Sequence, residues 1–432
     1  MKVAFLGNMN NNNFALMRYF RDLGADAHLL QWSNDGLGAN SHFTPENDTW
    51  DIAKWSPYIH RLDIGNSLDA VIGNPVKLKM PPSIAYLRAC FDGYDALVGS
   101  GISPIILGRC GRSLDIFYPY SMGIEFVGCR INQALFNSGN LIRRLICRRL
   151  RAKQIKGIQR ARFCLNADLG LTKQIFETIG KEYLPLAIPM VYHMEKAAGT
   201  PLPKHLEDIK RKLGGYGFKC FSHASQTWVH HGEYSLSEWQ KQSKNNHWLI
   251  VGFSAFLKHS GKQDALLVLL EYGADVDRTK GLIRELGIEG NVVWLPKMPR
   301  KELMYVLDLC DVGVGEFIVD PGCIWGGTGW EVLASGKPML QSFNFTREGF
   351  ERDFGHPPPP VLDAKSPEDV AAHLIEMSFD REKAARIGRE SRRWFDNHNG
   401  NGLARKWFEL LKDGEGAGRQ SAPASQDSLI TA

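Results

Sequence analysis

The chain of 432 residues is 44% hydrophobic, enough for two ordinary cores, since single cores stop growing at about 250–300 residues. Its 52 Lys and Arg against 47 Asp and Glu leave a net charge of +5, too balanced to coat nucleic acid, so no nucleic-acid partner is expected. No run approaches about 18 uninterrupted apolar residues, and the eight dispersed cysteines include no Cys-x-x-Cys pair, which disfavours a zinc ribbon or redox site and fits a reducing, cytoplasmic location.

Lys2 to Gly7 reads as a buried strand rather than a signal peptide. Asn8 to Asn13 follows as a polar loop, Phe14 to Leu23 as a helix closed by Gly24, and Ala27 to Trp32 as a second strand, together a βαβ unit. Further strands are predicted at Ala96 to Val98, Leu114 to Tyr118 and Arg162 to Leu165, with helices at Ser83 to Cys90 and Leu171 to Thr178. Residues 1–195 are therefore expected to form one doubly wound domain.

Within it, Phe126 to Ala167 holds no acidic residue, while nine Lys and Arg crowd positions 143–162. Interleaved Leu141, Ile142, Leu145, Ile146, Leu150 and Ile155 give partial helical amphipathicity. Such a face suits an anionic membrane surface or a polyprenyl phosphate; a plain solvated helix is the other reading.

From 196 to 214 the apolar periodicity weakens, and the segment reads as a linker. A second alternation fills residues 215–395. Strands are predicted at Phe218 to Ser222, Ala265 to Glu271, Asn291 to Leu295, Val312 to Glu316 and Pro338 to Ser342. Helices are predicted at Trp248 to Lys258, Arg278 to Leu286, Pro299 to Leu309, Thr328 to Ala334 and from Ser366-Pro367 to about Met377. Residues 396–412 are expected to pack back on the first domain through Leu403, Trp407, Leu410 and Leu411. The segment 413–432, without aromatics, reads as a disordered tail.

The segment with the most chemistry is DVGVGEFIVDPGCIWGGTGWEVLASGKPML, residues 311–340. A strand runs through a loop into Gly326, Gly327, Thr328 and Gly329 at the mouth of a helix that carries Glu331 in about its first turn. Backbone amides uncluttered by side chains suit a diphosphate, and a carboxylate beside them can accept from both ribose hydroxyls. The plain alternative is a tight turn with a solvated acid favoured by the helix dipole.

In its strand and helix order from Lys219 to Ser342, and most of all in LGIEGNVVWLP, LDLCDVGVGEF and GGTGWEVLASGKPML, the chain resembles the GT-B-fold glycosyltransferases, in particular glycosyltransferase family 4 and its group 1 relatives. The resemblance implies an α/β protein of two Rossmann-like doubly wound domains facing a cleft, with a nucleotide-sugar donor on the C-terminal side. The family commonly carries two glutamates eight positions apart; Glu331 matches the second, and Cys323 stands at the first. A basic residue near the donor phosphates is expected at Lys244, because only that position leaves sequence for the following helix and strand, with Lys262 as the fallback. The arginine that often follows the first strand is replaced by Ser225-Gln226-Thr227.

On the acceptor side the resemblance singles out Asn10 and Asn11, since asparagine tolerates the left-handed backbone that a glycine turn would adopt there. It also singles out Tyr120, Ser121 and Glu125 in IFYPYSMGIE; His42 and Asp48 lie in a loop within possible reach. The family implies transfer with retention; a glycan or polyprenyl-linked acceptor is expected. Asp275-Val-Asp277 reads as a helix cap rather than a metal motif, so neither metal nor cofactor is expected. The rival readings are a nucleotide-sugar epimerase and, because of Cys323 and Gln226, a non-catalytic donor-binding subunit.

Overall fold

The computed structural model describes residues 1–32, 44–62, 83–119, 141–167, 170–189, 191–195, 197, 201–232, 235–319 and 326–413. Tyr120, Ser121, Glu125, His42, Cys323 and the tail from 414 onward lie outside the described residues.

Among the described residues, twelve strands form two six-stranded parallel sheets. The first holds β1 (Lys2–Leu6), β2 (Asp26–Trp32), β3 (Ile59–Leu62), β4 (Ala96–Gly99), β5 (Ile116–Phe117) and β6 (Phe163–Cys164) in the order β3-β2-β1-β4-β5-β6. The second holds β7 (Phe218–Ser222), β8 (Ala265–Glu271), β9 (Val292–Pro296), β10 (Val312–Val314), β11 (Met339–Gln341) and β12 (Val361–Asp363) in the order β12-β11-β10-β7-β8-β9. Each order reverses between its first and fourth strands, at β1/β4 and at β7/β10, and α/β sheets bind ligands beyond the carboxyl ends at such a reversal. Six successive residues of β8, Ala265 to Leu270, are buried, as a parallel strand covered on both faces requires.

Residues 196–214 are not simply a linker. Lys204–Leu213 is a helix, and Leu206, Ile209 and Leu213 bury one stripe in the core of the second domain. The remaining positions carry the charges that mask this spacing, which is why the apolar density looks low. The final helix, Asn401–Lys412, lays Leu403, Trp407, Phe408 and Leu411 into the core of the first domain against Phe14, Met17 and Phe20. The Trp407 indole donates to the Ala187 carbonyl at 3.2 Å. Leu410 is only partly buried there.

One polar cluster ties the domains together, and a second, within the first domain, orders a segment of it. The Tyr19 hydroxyl meets His193 Nδ1 at 2.7 Å, and His193 Nε2 meets Asp396 Oδ1 at 2.7 Å, joining the helices Asn12–Asp22 and Arg381–His398. Arg18, fully buried, pairs with Asp48 and lies 3.5 Å from Glu195. Glu195 in turn accepts from Thr49 Oγ1 and the amides of Trp50 and Asp51, so the 48–51 segment is held in place within the first domain.

The helix Leu141–Arg160 packs its C-terminal half on the helix Ser103–Arg109, with Ile158 buried and Gln154 donating to the Gly101 carbonyl at 2.7 Å. Arg148, Arg149, Arg151, Lys153 and Lys156 are exposed, as are Leu141 and Leu145. Among the described residues no helix is long and apolar enough to cross a membrane.

Candidate functional site

A cavity of about 420 Å³ lies between the domains, lined by Asn10, Asn11 and Asn47 on one side and His223, Lys244, Arg300, Thr328 and Glu331 on the other. It opens where the β7/β10 reversal places it. His223 directly follows β7, and the helix Gly327–Ala334 follows β10 through the loop.

Glu331 is the fifth residue of that helix, one turn inside rather than at its mouth, and it faces the cavity together with Gly327 and Thr328. Gly326 is the N-cap, and Gly329 is buried within the helix. The Thr328 hydroxyl oxygen is buried without a hydrogen-bond partner among the described residues. The Glu331 carboxylate accepts from Arg300 Nε at 2.7 Å through Oε1, and meets His223 Nε2 at 2.8 Å through Oε2. Burial pushes its pKa up, but the His223 hydrogen bond and the Arg300 charge outweigh that and bring it down to about 2. Glu331 is thus ionised at neutral pH, and each oxygen keeps a lone pair beyond the one already in use, enough for two vicinal hydroxyls.

Arg300, at the start of the helix Arg300–Asp308, also reaches across the cleft. Its Nη1 donates to the Asn10 carbonyl at 3.1 Å and to Asp48 Oδ1 at 3.2 Å. One guanidinium therefore joins the carboxylate of the candidate nucleotide site to the first domain. Lys301 adds a bond to the Thr49 carbonyl at 3.1 Å. A second cavity, of about 370 Å³, lies on the far side of Arg300 against Tyr192, Leu202, Met304 and Tyr305.

Lys244 lines the main cavity and Lys262 does not: Lys262 lies beyond the far end of the helix Asn246–Ser260, with its ammonium over the Phe379 ring. Asn245, with φ of 44°, turns the chain into that helix, and Lys244 is held by its amide bond to Thr227 and its carbonyl bond from Phe317. Its ammonium meets Glu316 Oε1 at 2.6 Å.

Asn10 and Asn11 take φ of 53° and 58°, the left-handed conformation expected of them. The Asn11 amide donates to the Thr44 carbonyl at 3.0 Å and accepts from Asn8.

Two expectations change. Gln226 is buried and turned from the cavity, its amide oxygen accepting from Thr279 at 3.1 Å; the cations Lys297 and Arg300, from the segment after β9, line the cavity. Asp275 occupies the N-cap position of Val276–Glu285 but does not cap it. Its carboxylate accepts from the amides of Trp228 at 2.6 Å and Val229 at 2.9 Å and meets His231 at 2.6 Å, bracing the loop after β7. His223, Arg300 and Glu316 are the residues that sequence reasoning missed. Only Arg300 left a signal, as the first cation after Pro299 at a predicted helix start.

No protein-family model and no curated protein matched the chain. Solved structures did. HepE of Anabaena, crystallised with UDP and glucose, superposes with a TM-score of 0.57 at 14% identity, over 96% of this chain and 100% of that one. Sucrose-phosphate synthase of Thermosynechococcus elongatus gives 0.52 at 12% identity, over 97% and 100%. A putative UDP-N-acetylglucosamine 2-epimerase of Listeria monocytogenes gives 0.52 at 12% identity, over 99% of both chains. With both sheets in the same doubly wound order about one cleft, the chain has the fold of the GT-B glycosyltransferases.

Proposed function

We propose that the protein is a glycosyltransferase that takes a sugar from a nucleotide-sugar donor held in the cavity around Glu331. The observation that carries this reading is the ionised Glu331, on the helix beyond the β10 strand end, sharing one cavity with Thr328 and the cations Lys244 and Arg300. Glu331 would accept from the ribose hydroxyls, while Lys244 and the helix start would meet the diphosphate. HepE, which shares the fold, was crystallised with UDP-glucose, in keeping with a donor of this class.

In this reading the negative charge that grows on the departing nucleoside diphosphate is met by amides and by Lys244 and Arg300, so transfer needs no metal. The sugar is passed with retention to a glycan or polyprenyl-linked acceptor bound on the side of Asn10 and Asn11. The protein works in the cytoplasm, held at an anionic membrane face by the basic helix Leu141–Arg160.

The test is a turnover screen of nucleotide sugars with and without glycan and lipid-linked acceptors. Sugar-bearing acceptor together with free nucleoside diphosphate supports transfer. The epimerase-like neighbour defines the rival outcome, epimerised nucleotide sugar without acceptor; binding without turnover would instead mark a donor-binding subunit.

A further inference from the structure

Lys244 does not enter the cavity as an isolated cation. Glu316, one residue past Gly315 at the end of β10, is about nine-tenths buried, and its Oε1 lies 2.6 Å from the Lys244 ammonium. The carboxylate also rests against the N-cap of the helix that carries Glu331: a Cβ added at Gly326 would stand 2.6 Å from Glu316 Oε2. The pairing is built into the backbone. The Phe317 amide donates to the Lys244 carbonyl at 3.2 Å, and the Asn245 side chain donates to the Phe317 carbonyl at 2.8 Å, so the segments 244–245 and 316–317 move as one.

A phosphate drawn to Lys244 and the helix start thus meets a fixed negative charge behind them. Its effect depends on the charge of the ligand. The diphosphate of a nucleotide sugar is a diester with one charge on each phosphate, whereas a free nucleoside diphosphate ends in a monoester that gains a second charge above about pH 6. Repulsion from Glu316 therefore falls harder on the free nucleoside diphosphate than on the donor.

On the reading of the cavity as a donor site, we propose that Glu316 is a specificity residue that makes the site favour the nucleotide sugar over the nucleoside diphosphate left after transfer. It neutralises Lys244 enough that the extra phosphate charge brings no gain in affinity, which eases product release. Removing one unit charge about 5 Å from another, at effective dielectric constants of about 20–40, changes affinity by at least about tenfold.

The experiment is calorimetric titration of the full chain at pH 8 with three matched pairs: UDP and UDP-glucose, GDP and GDP-mannose, ADP and ADP-glucose. The pair that the parent binds most tightly is then followed in Glu316→Gln, with Glu316→Ser in its place should the Gln variant not fold, and in Glu316→Asp. The expected result is that loss of the charge improves the nucleoside diphosphate Kd relative to its sugar ester by about tenfold. Glu316→Asp, which keeps the charge, should stay within about threefold of the parent ratio. An unchanged ratio in the charge-removed variant, or the same shift in Glu316→Asp, overturns the proposal while leaving the donor site in place. Binding of no pair by the parent overturns the donor site itself and this proposal with it.

Discussion

Replacing Glu331 by Gln keeps the side-chain size and removes the charge that faces both Arg300 and His223. The gap between the ordinary glutamate value of 4.5 and about 2 in the fold corresponds to about 3 kcal/mol of stability held by the ionised form. Because the folded pKa is depressed, that contribution is fully present above about pH 5 and is lost as pH falls towards 2. Urea unfolding of parent and variant should therefore separate them by about 3 kcal/mol at pH 7, the neutral amide having no charge to lose, and by only about 1.5 kcal/mol at pH 3. A gap that does not shrink on acidification, or no gap at pH 7, would refute the ion-pair account of Glu331.

Arg300→Met removes the bonds to Asp48, Asn10 and Glu331 at once. Breaking a buried pair costs about 3–5 kcal/mol, and the lower end is expected because Arg18 still faces Asp48 and His223 still faces Glu331; small-angle scattering should also show a wider domain separation, and an unchanged profile with unchanged stability would count against the bridge. Trp407→Ala should cost about 3–5 kcal/mol in calorimetry, since the indole is fully buried in the first domain; a loss under about 1 kcal/mol would mean the final helix is dispensable. Sedimentation with anionic liposomes should fall with salt and with Arg148, Arg149 and Arg151 changed to Glu, whereas salt-insensitive or absent binding would sink the membrane role.

The elements easiest to read in the sequence were those whose signal is local. The ALLVLL run of β8 and the FKCFS of β7 are apolar strands between clear breakers, and their predicted bounds agree with the structure. The helix Lys204–Leu213 was harder, because three apolar residues at its inner stripe are outnumbered by charges on its solvated face. β3 and β12 are short edge strands, one in each sheet, one reading IHRL and the other VLD, and too little apolar run marks them.

The candidate site divides along the same line. Glu331, Thr328 and the glycines lie in one short segment and could be read together, whereas Arg300 finds Asp48 across 252 positions of sequence. His223 and Glu316 meet Glu331 and Lys244 only because parallel pairing sets β7 beside β10. Asp275 shows the converse: a residue at a cap position whose carboxylate is spent on a distant loop.

The most direct test of the account is the Kd for a nucleotide sugar, measured by calorimetry on the parent, Glu331→Gln and Gly327→Val. Hydrogen bonds to a charged acceptor are worth about 1.5–3 kcal/mol, so Glu331→Gln should weaken donor binding roughly 10 to 150 fold. Gly327→Val should weaken it too, by crowding the helix start against the phosphates. Both variants binding the donor as tightly as the parent would place the donor site elsewhere and contradict the account.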